Sequence, residues 1–353
     1  MSGIVVEGMT KRFGSFTAVD DLTITFQEGE TACLLGPSGC GKTTLMRMIA
    51  GLETPSEGRV IIDGQDMTAL RPRQRNIGMV FQYPVMYPTL SVRENIALPL
   101  KRDKSLSASD RVRRTDEVLE VVDLKDRDNA FIDELDAGSR QKVAVARSVA
   151  RQTKVVLFDE PTTNVEVNAK LTLIRTIKEI TRRLKQTIVY VTHDQTEAMT
   201  LADKIALMKD GRIIQYDTPA TLYNLPSTEF GGWFLGHPGM NFIPVSRQDD
   251  GLVSPLLQAP VPAPASLRSG TLRLGIRPEQ LEAALEPFPG SLEARVEDCV
   301  VGIAGQMLAR LTVKGETVKL KNSHLPPLAD GTPLHIAFPT ERLLVFEDGL
   351  RVC

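Results

Sequence analysis

The chain has 353 residues, 42% hydrophobic and 24% charged, with 42 Lys+Arg against 44 Asp+Glu. That is room for one large domain and a smaller one, in the composition range of soluble globular proteins. It offers no general basic field for nucleic acid, no run of about eighteen apolar residues to span a bilayer, and no apolar h-region or cleavage site in the N-terminal MSGIVVEGMTKRFG.

IVVEGM (4–9) and DLTITF (21–26) alternate in hydrophobicity and predict an antiparallel layer at one edge of the fold. Between them Phe13, in KRFG, is either a buried ring or an aromatic placed to stack on a base. TACLL (31–35) is continuously apolar, as in a strand buried on both faces. GPSGCGKTT (36–44) follows and matches G-x-x-x-x-G-K-[ST], with the helical pattern TTLMRMIAGL directly after it. Strand, loop and helix in that order are the context a phosphate-binding loop needs. Gly36, Gly39 and Gly41 let the backbone bend so that successive N–H groups face phosphate oxygens, and the helix start adds its dipole. Lys42 is placed for the β- and γ-phosphates and the Thr43 hydroxyl for Mg²⁺. Pro37, Ser38, Cys40 and Thr44 complete the stretch assigned to the nucleotide.

NIGMVF (76–81) is a further apolar run, ending at Gln82, where a carboxamide is placed to touch both metal and water. The segment from about 85 to 150 reads as helical and interrupts the strands. Within it LDAGSRQ (135–141) opens the helical run KVAVARSVARQ, with Asp136 at the position of an N-cap. VVLFDEP (155–161) sets Asp159 and Glu160 at the end of a buried strand, where ligands collect in an open α/β sheet. Paired acids there are often only solvated loop residues. Behind a phosphate loop, Asp159 reads instead as a holder of Mg²⁺ through water and Glu160 as the group polarising an attacking water. TIVYV (187–191) leads into THDQTEAM, with His193 again at a strand end, and KIALM (204–208) is one more buried strand. PLLQAPVPAPA (255–265) reads as a linker or surface loop. Beyond it TLRLGIR, EARVEDCVVGI, QMLARLTV, ETVKLKN, PLHIAF and RLLVFED carry a small β-barrel signature. Cys33, Cys40, Cys299 and Cys353 lack metal-type spacing and read as reduced thiols.

GPSGCGKTT, VFQ, VVLFDEP and YVTHDQTEAM resemble, in order, the Walker A, Q-loop, Walker B and H-loop motifs of the ATP-binding cassette (ABC) family. THDQTEAMTLADKIALMKDGRIIQYDTP is similar to the importers of sugars, polyols, glycerol or glycerol phosphate. LGIRPEQL (274–281) resembles the entry to their oligonucleotide-binding-like (TOBE/MOI) regulatory domain. The resemblance implies an α/β P-loop cassette over residues 1–235, with a mixed sheet and a helical subdomain, and an OB-like β-rich domain over 236–353. It implies ATP and Mg²⁺ as cofactors and Glu160, His193 and Gln82 as the hydrolytic groups, with Thr43, Gln82 and Asp159 around the metal. It further implies two transmembrane permease subunits contacted through residues 83–100, an extracytoplasmic solute-binding protein acting indirectly, and no nucleic acid. The place implied is peripheral, on the cytoplasmic face of the plasma (inner) membrane. A DNA-repair or translation cassette is disfavoured, because no second cassette or long coiled coil is present.

In this family two cassettes sandwich ATP between the Walker A of one and the LSGGQ signature of the other. Here LSGGQ is replaced by LDAGS: Asp136 stands for Ser, Ala137 for Gly and Ser139 for Gln, with Gly138 retained. Two unit charges about 4 Å apart repel by about 4 kcal/mol at an effective dielectric near 20. An N-cap role and a lost phosphate grip are compatible. The loop after Walker B departs too, with Thr163-Asn164-Val165-Glu166 in place of S-N-L-D. The expectation is a heterodimer with a second, related cassette; the alternative is a largely non-catalytic ATP-binding subunit.

Overall fold

The computed structural model describes residues 3–352 except 84, 152, 164, 185, 250, 303 and 304, so Asn164 and Cys353 lie outside the described residues. The chain divides into two compact units, Met1–Pro219 and Ala220–Cys353.

The first unit opens with β1 (Ile4–Phe13) and β2 (Phe16–Phe26), joined antiparallel, then β3 (Thr31–Leu35) and α1 (Lys42–Ala50). β4 (Glu57–Ile62) and β5 (Gln65–Asp66) join the first two strands in a sheet of order β2-β1-β4-β5. This is the antiparallel layer that the alternating runs predict. β6 (Gly78–Val80) is shorter than the apolar run 76–81 suggests, because Asn76 sits at φ 49 and Phe81 is exposed. The helical subdomain follows as α2 (Val92–Ala97), α3 (Ala108–Val121) and α4 (Ala137–Val149). Ser91 and Ser107 cap the first two in boxes closed by Glu94 and Asp110.

β7 (Val155–Asp159), α5 (Val167–Leu184), β8 (Thr187–Thr192), α6 (Gln195–Leu201), β9 (Lys204–Lys209) and β10 (Arg212–Asp217) complete the unit. The main sheet has the order β10-β9-β3-β8-β7-β6, parallel except for the β10–β9 pair. Every residue of β3, β7 and β8 is buried, which is why these strands read as unbroken apolar runs. One apolar core joins β1, β2 and β4 to α1 and to the inner strands of this sheet.

Arg75 secures the far end of α1. Its guanidinium donates to the Met48 and Ile49 carbonyls at 2.8 Å each, and to those of Leu70 and Thr68 at 3.0 Å. These include the Ile49 carbonyl at the end of α1, while the Met48 carbonyl also accepts from the C-cap Gly51 N–H. Arg75→Met is expected to lower unfolding free energy by about 3 kcal/mol, by stranding buried acceptors. Urea unfolding checks this, with a loss below about 0.5 kcal/mol contradicting it.

The second unit begins with α7 (Pro219–Asn224) and α8 (Glu229–Phe234), followed by antiparallel strands in sheets of four, three and five. The five-stranded sheet contains Leu292–Val301, Met307–Val313, Glu316–Asn322 and Pro333–Ala337, the strands that the late β-like runs predict. Two expectations change here. The compact units meet at 219/220 rather than near 235. Arg277, 1% exposed, explains it: it donates to the carbonyls of Tyr223, Gly232 and Leu235 and so ties α7 and α8 to the β-rich unit. PLLQAPVPAPA is not a linker either. Leu256 and Val261 are buried in the second unit's core, and Val261–Pro262 pairs as an edge strand, the position open to a proline.

Candidate functional site

The parallel register decides where the motifs meet. Leu35 pairs with Thr192, Asp159 with Val191, and Val80 with Phe158. The chain therefore leaves β3, β8, β7 and β6 at the same edge, carrying Gly36–Gly41, His193, Glu160 and Gln82 there together.

The loop after β3 is built around close approach. Gly41 has φ 102 and precedes α1, and a Cβ there would lie 2.3 Å from the Ala18 carbonyl oxygen of β2. Only glycine fits. Lys42 is 4% exposed, its ammonium donating to the carbonyls of Gly36 and Pro37 at 2.8 Å each and lying 3.7 Å from Cys40 Sγ. Burial pushes the Cys40 thiol above its ordinary range despite Lys42 beside it, so this sulfur is packing. The first turn of α1 holds no acid, so its positive end is unopposed and suited to an anion.

Thr43 Oγ1 donates to Asp159 Oδ1 at 3.2 Å, which joins the loop to the end of β7. Burial pushes the Asp159 carboxyl upward, against the pull of that hydrogen bond and of Arg47. A hydroxyl and a carboxylate this close form a hard-oxygen pair of the kind Mg²⁺ takes. Among the described residues no cluster of three or more His, Cys, Asp or Glu is placed to hold a metal.

Glu160 takes φ 45, uncommon for a residue with a Cβ, and its N–H donates to the Val191 carbonyl at 3.0 Å. Its Oε2 lies 3.3 Å from His193 Nδ1 and accepts from Thr163 Oγ1 at 3.2 Å. A carboxylate and an imidazole are thus held side by side at the strand ends. Gln82 is half-buried just beyond β6 and, among the described residues, has no hydrogen bond to Asp159 or Glu160. Phe13 is 48% exposed, with the Lys11 ammonium 4.9 Å over its ring. It pairs with Phe16 at the β1–β2 hairpin end, and β2 also carries the Ala18 carbonyl against Gly41. The ring is therefore exposed, not a core residue.

Asp136, Gly138 and Ser139 stand apart, at the start of α4. Asp136 is the N-cap: Oδ1 accepts from Ser139 N–H at 2.8 Å and Oδ2 from Ser139 Oγ at 2.9 Å. Those bonds hold its carboxyl below the ordinary aspartate range. The exposed helix start thus presents a carboxylate, and the Ser139 donors are already engaged with it. Two further side chains carry no role in the sequence reading, Lys170 and Glu197, the latter 1% exposed on α6. The available signal is an acid on the same face of THDQTEAM as the buried Ala198 and Leu201.

The ABC transporter family profile matches residues 19–163. The Fe(3+) ions import ATP-binding protein FbpC of Photobacterium profundum is 37% identical over 302 residues, 84% of this chain and 83% of that protein. The sn-glycerol-3-phosphate import ATP-binding protein UgpC 1 of Rhizobium johnstonii is 35% identical over 350 residues, 98% of this chain and 94% of that protein. Among solved structures, a dimeric post-hydrolysis ATP-binding cassette bound to ADP and Pi matches with TM-score 0.54 and 29% identity. The match covers 61% of this chain and 98% of the cassette.

Proposed function

The chain belongs to the ABC transporter family, as an ATP-hydrolysing subunit of an importer, and from that premise we propose that its working site is composite, shared with a second and different cassette. The observation that carries this is an asymmetry within one chain. Lys42, Thr43, Asp159, Glu160 and His193 are assembled at the strand ends, while the signature position presents a carboxylate capped by Ser139. In a homodimer each ATP would meet both. In a heterodimer this chain's phosphate loop meets the partner's signature, and only the partner's ATP faces Asp136.

In the working site α1 and its loop bind the phosphates, Lys42 faces the β- and γ-oxygens, and Phe13 offers its ring to the base. Thr43 and Asp159 would hold Mg²⁺, which would supply positive charge against the charge developing on the phosphates. Glu160 orients water as a general base, and His193 is placed beside it to contact the γ-phosphate. Gln82, at the same edge, is the remaining candidate for contact with metal and water.

A cavity of about 870 Å³ opens beside β6, lined by Tyr87, Leu98, Pro99, Arg73, Arg147 and Arg151 among others. It includes part of the segment 83–100 and supports that face as the dock for two transmembrane permease subunits, which in turn meet a solute-binding protein. Among the described residues no helix is long and apolar enough to cross a membrane, consistent with a peripheral place on the cytoplasmic face. One relative matched over nearly the whole chain is named for sn-glycerol-3-phosphate, which supports a small polyol, its phosphate or a sugar as solute.

Asp136→Ser tests the composite site. It removes the charge that a γ-phosphate would face, so hydrolysis at the site bordered by α4 is expected to rise by about tenfold or more, the other site being unchanged. Single-turnover measurements on the assembled complex, with each Walker B acid disabled in turn, read the two sites separately. An equal effect at both sites, or none, contradicts the proposal.

A further inference from the structure

A buried polar cluster lies behind the hydrolytic groups. At its centre Glu197 Oε1 accepts from Thr162 Oγ1 at 2.5 Å and from Lys170 Nζ at 2.6 Å. Its Oε2 accepts from Thr192 Oγ1 at 2.8 Å and Tyr190 Oη at 3.0 Å. Two acceptor oxygens with two donors each leave the carboxylate no further freedom to turn. Lys170 also donates to Asp194 Oδ2 at 2.6 Å, and the Asp194 N–H donates to Thr192 Oγ1 at 2.9 Å. Burial works against the Lys170 charge, but its bonds to Asp194 and Glu197 outweigh that and hold its pKa above the ordinary lysine value.

The donors come from separate elements: Thr162 from the loop after β7, Lys170 from α5, Tyr190 and Thr192 from β8. Thr192 and Asp194 are the chain neighbours of His193 on either side, and Thr162 adjoins Thr163, whose hydroxyl touches Glu160. Burying an ion pair is a costly way to fill space, since apolar residues of similar volume do it as well or better. A fully connected network rigidifies what it joins. We propose that Glu197 is a positioning residue, whose carboxylate locks the loop after Glu160 to the strand end carrying His193 so that the two groups are set as one unit. The inference rests on hydrolysis at Glu160, but its first test does not require turnover.

Thr162→Val is the variant of choice, because it deletes one hydroxyl and leaves the Lys170–Glu197 pair to keep the fold. Hydrogen–deuterium exchange on the full chain is expected to show amides 192–194 exchanging about tenfold faster or more, although the substitution is in the other loop. Thr192→Val is expected to do the reverse at 160–163, as coupling is reciprocal. In the assembled complex Thr162→Val is expected to lower kcat by about tenfold with KM for ATP within about twofold. A rise confined to the substituted loop, or an unchanged kcat in a complex that hydrolyses ATP, overturns the proposal. A wild-type complex without turnover faults the hydrolytic reading, and the exchange data then decide the coupling alone.

Discussion

Glu160→Gln is expected to leave ATP bound and to slow its hydrolysis by about 10²–10³-fold, the usual range for loss of a general base. The substitution keeps the size of the side chain and the Thr163 contact but removes the negative charge 3.3 Å from His193. Nothing in the phosphate grip changes, since Lys42, the α1 start and Thr43 act from the other loop. Equilibrium nucleotide binding and steady-state turnover, measured on the assembled complex, separate the two effects. Undiminished turnover would mean that this chain's own site is not the working one, which is the non-catalytic alternative.

The second large effect is on binding. Lys42→Ala is expected to weaken ATP by about a hundredfold or more, about 3 kcal/mol, because it removes the cation proposed to face the β- and γ-phosphates. Lys42→Arg is expected to fail nearly as badly. The ammonium is held inside the loop by two carbonyls at 2.8 Å, and a planar guanidinium does not fit that curl. Calorimetric titration reads the affinity, and a melting temperature near that of the wild type separates a binding defect from a folding one. Retained affinity in a folded Lys42→Ala chain contradicts the placement of the γ-phosphate.

Much of the site was legible because its chemistry is local. GPSGCGKTT is one stretch, and the unbroken apolar runs before it and before Asp159 mark strands buried on both faces. The common edge at which Gly36, Glu160 and His193 meet follows from those strands being parallel. What was not legible depends on partners distant in sequence. The donors around Glu197 come from three places outside its own helix, the loop after β7, α5 and β8, and only the register of β7 against β8 brings Thr162 to Thr192. The unit boundary was missed for the same reason. Residues 220–235 go with the first unit by resemblance to the cassette family, while the residue that claims them, Arg277, lies far along the chain. PLLQAPVPAPA misled through its prolines, which outweighed the two apolar side chains, Leu256 and Val261, that the core in fact covers. Asp136 was read correctly as an N-cap, but that Ser139 spends both its donors on it emerges only from geometry.

The most direct measurement is the subunit composition of the purified, ATP-hydrolysing complex by native mass spectrometry. The expected result is one copy of this chain, one copy of a different cassette whose signature lacks the acid, and two membrane subunits. Two copies of this chain with no second cassette, hydrolysing ATP at both sites, would contradict the composite site.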